Sequence, residues 1–322
     1  MTLSIIILNY RSWELTESCI KSISKFLQEI KYEIIVIDND SQDNFFDFYS
    51  QKNKSVKFYK NSGNYGYSSG NNLGASFASG ELLLFMNPDT ELTDSQAIAE
   101  MISIYKSDSS IGVLSCRKIN ERGKFDREIT FLNPWLTVGP IRTIYKFLIR
   151  SKLRKQFDDL DGIIYPEWVT GSIFMISKDI FEKVKGLSDE DYFMYFEEMD
   201  LAQKIRKIKK QVCLNRNISI KHKHGGSSRK NPITSAFTKT ELMISRHVYI
   251  EKFYSGVNKI TLHLFMAIYE ISLKSFMGTI SIPFFWTIKG RTNILLLLNT
   301  LNYYLKLPLN KTWRSPRILN RI

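Results

Sequence analysis

Three short runs carry side chains suited to acid, base or metal chemistry. Asn87-Pro88-Asp89 ends the apolar run Leu82–Met86 abruptly, which sets a carboxylate at the end of a buried strand on a rigid proline turn. Such a carboxylate can bind a divalent cation that also bridges two phosphates; a Pro-Asp turn with no ligand is the plain alternative. In the second half, the aromatic run Tyr192-Phe193-Met194-Tyr195-Phe196 leads directly into Glu197-Glu198-Met199-Asp200. Adjacent acids in such surroundings repel one another and lose solvent, which can raise one pKa toward the range useful to a general base. The same acids also suit the first turn of a helix, where they favour its dipole. Both readings hold together if Asp200 is structural and Glu198 chemical. Finally, His222-Lys223-His224-Gly225-Gly226 follows the strand-like Ile218–Ile220, and a neutral imidazole there can complete the coordination of a cation held by Asp89. A His-x-His pair is equally what any strand produces when it sets two rings on one face.

Two further groups suit a base, a ribose and a pyrophosphate. Asn9-Tyr10 follows the first apolar run and Asp38 the second, so their side chains should emerge at one edge of a sheet. With Asn39-Asp40-Ser41 behind it, Asp38 also reads as a turn residue. The segment Asn64 to Gly74 holds Gly66, Gly70, Asn71 and Asn72 between a strand and a helix. Its glycines allow a backbone to approach a pyrophosphate near a helix N-terminus, or simply position the helix. It is not the dinucleotide pattern Gly-x-Gly-x-x-Gly.

These side chains need a frame, and the apolar spacing supplies one. Leu3–Leu8, Ile34–Ile37, Val56–Tyr59 and Leu82–Met86 are short apolar runs separated by helical spacing over Leu15–Ile30 and Gly70–Ala78. That rhythm predicts parallel βαβ units, whose ligands collect at the C-terminal strand ends. Strands and loops are expected over Val113–Phe131, a basic amphipathic stretch over Pro134–Gln156, a compact block over Tyr165–Gly226, and then a helical tail.

At 322 residues with 43% apolar content, the chain can bury a full-sized core, and its net charge of +13 calls for an anionic partner. The charge lies in amphipathic helices while aromatics cluster near carboxylates, which argues against nucleic acid. Cys19, Cys116 and Cys213 form no paired spacing and are expected as free thiols. The N-terminus lacks the pattern of a secretory signal, so the chain is expected to stay in the cytosol. In the tail, the charge-free run Ser275–Ile288 is broken by Pro283 and covers only ~20 Å against a hydrocarbon core of roughly 30 Å, too short to span. Lys and Arg continue to the end with no acid after Glu270, a pattern expected of a segment lying on an anionic membrane surface at the cytoplasmic face. A basic helical pair packed on the rest of the chain is the plain alternative.

Taken in order, Asn9-Tyr10, Asp38-Asn39, Asn64 to Gly74, Asn87-Pro88-Asp89, Trp168-Val169-Thr170-Gly171 and Gly186 through Leu201 resemble the family-2 glycosyltransferases, and within them the rhamnosyltransferase-like group. The match covers roughly residues 2–228. The resemblance implies an α/β fold of the GT-A type: a Rossmann-like, mostly parallel sheet with helices on both faces. The catalytic domain would be 1–228, with a nucleotide-sugar half over 1–112 and an acceptor and base half over 113–228. Residues 229–322 would form the membrane-associating helical tail.

Carried over residue by residue, the resemblance implies that Asp38 contacts the nucleobase, that Asn71 and Asn72 lie near the donor, and that Asp89 binds a divalent metal, Mg or Mn. Asn9, Tyr10, Gly66, Asn87 and Gly171 complete the nucleotide-sugar set. His222 or His224 stands near the metal, and Glu198 is the base, with Glu197 as the fallback. Glu198 stands where Asp is usual, Ser188 replaces a Phe, Lys204 replaces an Arg, and the glycine expected after Lys207 is missing. The implied reaction is inverting transfer of a sugar, L-rhamnose from its dTDP form or a hexose from UDP, to a lipid-diphosphate-linked saccharide. A non-catalytic membrane-surface protein is the rival from another class, against which the intact acids argue.

Overall fold

In the computed structural model of the chain, residues 2–125, 131–137, 139–149, 162–223 and 231–320 are described. By internal contacts they divide into two units: 1–132, 146–189 and 197–226 form the first, and 133–145, 190–196 and 227–322 the second.

The first unit is built on a sheet. Its elements begin β1 (Leu3–Asn9), α1 (Trp13–Phe26), β2 (Tyr32–Asp38), α2 (Phe45–Lys52), β3 (Lys57–Lys60), α3 (Gly66–Ser76), β4 (Leu82–Met86), β5 (Thr90–Glu91), α4 (Gln96–Ser107) and β6 (Ile111–Ile119). After α5 (Gly139–Leu148), which continues across the division between the units, come β7 (Ile163–Ile164), β8 (Ile173–Ser177), α6 (Lys178–Lys183), α7 (Glu197–Lys207) and β9 (Gln211–His222). The strand order is β3-β2-β1-β4-β8-β6-β9-β5, with β7 on β9. β1 to β4 are parallel, β8 runs antiparallel between β4 and β6, and β9 is parallel to β6. The C-terminal ends of β1, β2, β4, β6 and β9 and the start of β8 therefore share one edge.

The period-two alternation of β1 explains why helices cover both faces. Leu3, Ile5 and Ile7 pack with Ile20 and Ile23 of α1 and Met101 of α4. Ile6, one residue out of phase, packs with Ala75 of α3, Phe181 of α6 and Leu201 of α7. The four expected strands start within two residues of their predicted positions, β2 being the furthest off at Tyr32. The helix expected over Gly70–Ala78 begins earlier, at Gly66, because Asn64 Oδ1 accepts the Gly66 N–H at 3.1 Å and starts the turn. Glycine-rich turns conceal helical spacing, which is why the sequence pattern missed it. All three cysteines are buried and free.

The second unit contains α8 (Pro232–Phe253), α9 (Gly256–Ile280), α10 (Ile288–Asn310) and α11 (Pro316–Leu319). Asn231 caps α8 by accepting the Thr234 N–H at 2.9 Å, with Pro232 at the first position, where no amide hydrogen is needed. Here the sequence reading of the tail needs correction. The break at Pro283 does not shorten the apolar helix; it falls after it, in a single 3-10 turn over Ile282–Phe284. α9 itself has 25 residues, about 37 Å at 1.5 Å per residue, and among the described residues it alone is long and apolar enough to cross a membrane. Of the basic stretch Pro134–Gln156, α5 is described and leaves Ile144, Phe147 and Leu148 exposed; Arg150, Lys152, Arg154 and Lys155 lie outside the described residues.

The interior of this unit is unusually polar. His247 Nδ1 and His263 Nδ1 are 2.8 Å apart, His247 Nε2 meets Tyr304 Oη at 2.8 Å, and Trp313 stacks on both rings at 4.4 and 4.1 Å. Burial first, then the neighbouring His263 and Arg246, hold His247 well below the usual histidine range, and burial likewise lowers His263. The unfolded chain therefore binds protons that the fold refuses, and this contribution to stability is lost as pH falls below about 6.5. Glu241 has the opposite sign. Burial pushes its carboxyl up to about 7, so the fold holds a proton that the unfolded chain releases, and stability from this group is lost as pH rises toward neutrality. Removing the opposing group should expose the histidine effect: Glu241→Gln is expected to lose roughly 1–3 kcal/mol more than wild type between neutral pH and about pH 5. Melting curves followed by circular dichroism across that range test it; parallel profiles would mean that Glu241 is charged in the fold.

Candidate active site

The shared edge of the first unit gathers the chemistry-bearing residues. Asn9 and Asp38 are register partners at the ends of β1 and β2. Both are buried, and Asn9 Nδ2 donates to Asp38 Oδ1 at 2.9 Å and to Ser41 Oγ at 3.2 Å. Ser41 also donates its hydroxyl to Asp38 Oδ1 in a very short contact and its backbone N–H to Oδ2 at 3.2 Å. Asn9 Oδ1 accepts from Ser12 N and Thr16 Oγ1 at 3.3 and 2.9 Å. The Asn9 amide is therefore saturated within the protein: it positions Asp38 and has no hydrogen-bonding capacity left for a ligand. Tyr10, 40% exposed, remains accessible.

The glycine segment divides its work. Gly66 begins α3 with φ of +89°, which favours glycine, and its carbonyl accepts from Asn39 Nδ2 at 3.1 Å. Asn39 also donates to Asn64 Oδ1 at 3.0 Å and accepts from Asn61 at 3.1 Å, so it ties the end of β2 to the start of α3. Gly70 and Gly74 serve packing: a Cβ there would stand 2.3 Å from Leu8 Cδ1 and 2.5 Å from Ile6 Cγ2. Asn71 Nδ2 donates to the Tyr67 carbonyl at 3.0 Å. Asn72 makes a two-way clamp on Leu187, donating to its carbonyl and accepting from its N–H at 2.9 Å each, and is committed to holding the turn before Ser188.

Asp89 ends the tight turn after β4. Asn87 N–H donates to the Ser172 carbonyl at 2.9 Å, and the Asn87 carbonyl accepts from Thr90 N and Oγ1 at 3.1 and 2.6 Å. β5 then pairs Thr90 with His222, and Lys223 N–H donates to the Asp89 carbonyl at 2.9 Å. This pairing brings His222 Nε2 to 3.6 Å from Asp89 Oδ1. Asp89 is 6% exposed, and its Oδ1 has no hydrogen-bond partner among the described residues. A buried carboxylate oxygen without a donor is costly to keep in an apo site and fits a cation. One carboxylate and one imidazole suit a divalent ion whose other positions are filled by substrate or water. Among the described residues no group of three or more His, Cys, Asp or Glu is placed to hold a metal, and His224 lies outside those residues.

The acids at the start of α7 take different roles. Asp200, fully buried, accepts from Ser188 Oγ at 2.8 Å and lies 3.7 Å from Lys204 Nζ. Lys204 in turn donates to the Gly186 carbonyl at 2.9 Å. The departures Ser188 and Lys204 thus belong to one network, and Asp200 is structural, as the sequence reading allowed. Glu197 is buried at 3% exposure, whereas Glu198 is half-buried and its Oε1 accepts the Gly171 N–H at 2.9 Å. The residues before them, Tyr195 and Phe196, hold φ of +71° and +70°, strain that recurs at functional sites.

Gly171 stands beside the candidate base. Its carbonyl accepts from Tyr67 Oη at 2.6 Å, and a Cβ would lie 2.5 Å from Glu198 Oε1 and 2.7 Å from Tyr67 Oη. Burial, followed by the Glu198 and Glu197 charges, drives the Tyr67 pKa well above its usual range, which keeps the hydroxyl a donor. Tyr67 was available in the motif but not singled out. Lys118 was missed entirely: buried near the end of β6, it makes a very short contact to Thr170 Oγ1, and nothing in a strand pattern marks such a lysine.

The family description "Glycosyl transferase family 2" matches residues 4–185. The low-salt glycan biosynthesis hexosyltransferase Agl10 of Haloferax volcanii is 29% identical over 210 residues, 64% of this chain and 62% of that protein. An uncharacterized protein, y4gI, of Sinorhizobium fredii is 22% identical over 54% of this chain and 19% of its own length, so the chain spans less than two thirds of these relatives. Among solved structures, the mannosyltransferase PcManGT from Pyrobaculum calidifontis with GDP-Man and Mn2+ aligns at a TM-score of 0.52 and 13% identity, over 96% of this chain and 88% of that one. GalNAc-T7 with UDP, GalNAc and Mn2+ aligns at 0.55 and 16%, over 76% and 47%. The two structural likenesses establish a common fold, and the match over residues 4–185 establishes the lineage: the chain belongs to glycosyl transferase family 2.

Proposed function

We propose that the chain transfers a sugar from a nucleotide-sugar donor to a hydroxyl of a saccharide acceptor, with inversion at the anomeric carbon. The observation that carries this reading is the shared edge, where Asp38, Asp89 with His222, and Glu198 are held by separate strand and helix ends. Asp38, oriented by Asn9 and Ser41, accepts from the nucleobase, and the N-terminus of α3 at Gly66 faces the negative charge of the diphosphate. Asp89 and His222 would hold a divalent cation, and such an ion would supply positive charge against that developing on the departing nucleoside diphosphate. Glu198, fixed through Oε1 by Gly171, removes the proton from the acceptor hydroxyl for in-line attack.

For the donor we propose dTDP-L-rhamnose, on the rhamnosyltransferase-like motif order, and for the acceptor a lipid-diphosphate-linked saccharide of cell-surface polysaccharide synthesis. A UDP-hexose is the second reading, favoured by the hexosyltransferase relative and by the solved neighbour that holds UDP. A thermal-shift panel of sugar nucleotides, with and without manganese, separates them. The expected result is a rise in melting temperature with one nucleotide class, enlarged by manganese; no shift with any sugar nucleotide would overturn the reading.

A further inference from the structure

α9 has two faces of opposite character. Leu262, His263, Met266, Glu270 and Gly278 are buried, Arg246 of α8 binds Glu270 at 3.1 Å, and a Cβ at Gly278 would stand 2.6 Å from Leu297 of α10. The other face leaves Val257, Ile260, Leu264 and Ile268 58–80% exposed. The apolar surface continues through Phe276 in the last turns of the helix and past its end through Ile282, Phe284, Phe285, Trp286 and Ile288; all six are 55–73% exposed.

The turn that carries these rings is firmly built. Asn293 Nδ2 donates to Ser281 Oγ at 3.0 Å, Gly290 N–H to Thr287 Oγ1 at 2.9 Å, and Arg291 Nε to the Phe285 carbonyl at 3.0 Å. Only glycine fits at position 290, since a Cβ would stand 2.1 Å from the Phe284 carbonyl oxygen. A fixed backbone thus keeps three consecutive aromatic rings in water, an unfavourable arrangement unless something covers them.

The charge around the turn identifies the cover. Lys289 and Arg291 follow the rings, and after Glu270, which pairs with Lys274 at 3.5 Å, no acidic residue occurs in the sequence to balance them. The geometry points to an anionic lipid bilayer as the occupant of this surface: Phe284, Phe285 and Trp286 enter the boundary between headgroups and acyl chains while Lys289 and Arg291 meet lipid phosphates. Tryptophan suits that depth, with an apolar ring and one N–H for the wet side. α9 lies along the interface and does not cross it, because a span would carry Glu270, Arg246 and the His247–His263 pair into hydrocarbon.

Lipid binding is measured with no donor or acceptor present, so its failure is distinct from failure of the transferase reading. The whole chain is sedimented with phosphatidylcholine vesicles, with and without phosphatidylglycerol. Binding is expected only with the anionic lipid and is released by salt, because exposed charges act over about 8–10 Å. The double substitution Phe285→Ser and Trp286→Ser is expected to lower partitioning by about ten- to a hundredfold while leaving the melting temperature unchanged, since both rings are exposed. Quenching of tryptophan fluorescence by brominated lipid should be reduced in Trp286→Phe. Four results overturn the inference: no binding to any vesicle; undiminished binding by the double substitution; retention through a high-salt wash, which indicates a span; or a lipid-independent dimer dissolved by the double substitution, which makes a second copy the occupant.

Discussion

Glu198→Gln is expected to lower turnover by about two to four orders of magnitude while leaving donor affinity and melting temperature near wild type. Glutamine keeps an oxygen to accept the Gly171 N–H, so the side chain stays in place and loses only its ability to take a proton. Glu197→Gln separates the two acids. Glu197 is buried, so its substitution should lower the melting temperature visibly and turnover only mildly. Turnover and thermal melts of both variants, measured with the same donor, are the check. A larger catalytic loss in Glu197→Gln would transfer the base to that residue. Gly171→Ala should reproduce much of the Glu198 loss, since its methyl would stand 2.5 Å from Glu198 Oε1 and push the carboxylate aside.

Asp89→Ala is expected to remove the enhancement of donor affinity by manganese, raising Kd by about 10- to 100-fold in its presence and little in chelator. The expected stability effect runs the other way. Among the described residues no hydrogen-bond donor meets the buried Asp89 Oδ1, so deleting the carboxylate should leave the metal-free protein as stable as wild type or more so. Titration calorimetry with and without manganese, beside thermal melts in chelator, reads both. Metal-enhanced binding that survives the substitution would remove Asp89 from the site. His222→Ala should weaken the enhancement partially, because Asp89 remains to hold the cation.

Much of the candidate site is legible in the sequence because strand ends are legible. Asn9, Asp38 and Asp89 each follow an apolar run, and parallel strands deliver their C-terminal ends to one edge whatever the loops do. The division of labour within the motifs was not legible. Asn9, Asn71 and Asn72 look alike as amides near a donor, yet Asn9 is saturated by Asp38, Ser41, Ser12 and Thr16, and Asn72 is committed to the backbone of Leu187 through one donated and one accepted bond. Gly70 and Gly74 could equally have faced a phosphate; only the positions of Leu8 and Ile6 reveal that they face the sheet.

The α/β class, the parallel strands over β1 to β4, the lineage of the chain and the residues that end those strands can all be read along the chain, because period and punctuation are local properties. Tertiary structure decided which polar atoms remain available. That Asp89 meets His222 depends on a two-residue strand pairing across more than a hundred residues, and that Glu198 meets Gly171 depends on α7 docking beside the start of β8. It also decided where the apolar tail helix ends, since the partners that bury Glu270 and Gly278 on one face of α9 and leave Ile268 on the other come from α8 and α10. Hydrogen-bond capacity is spent between residues distant in sequence, so no local pattern records which groups are already satisfied and which are left to bind a ligand.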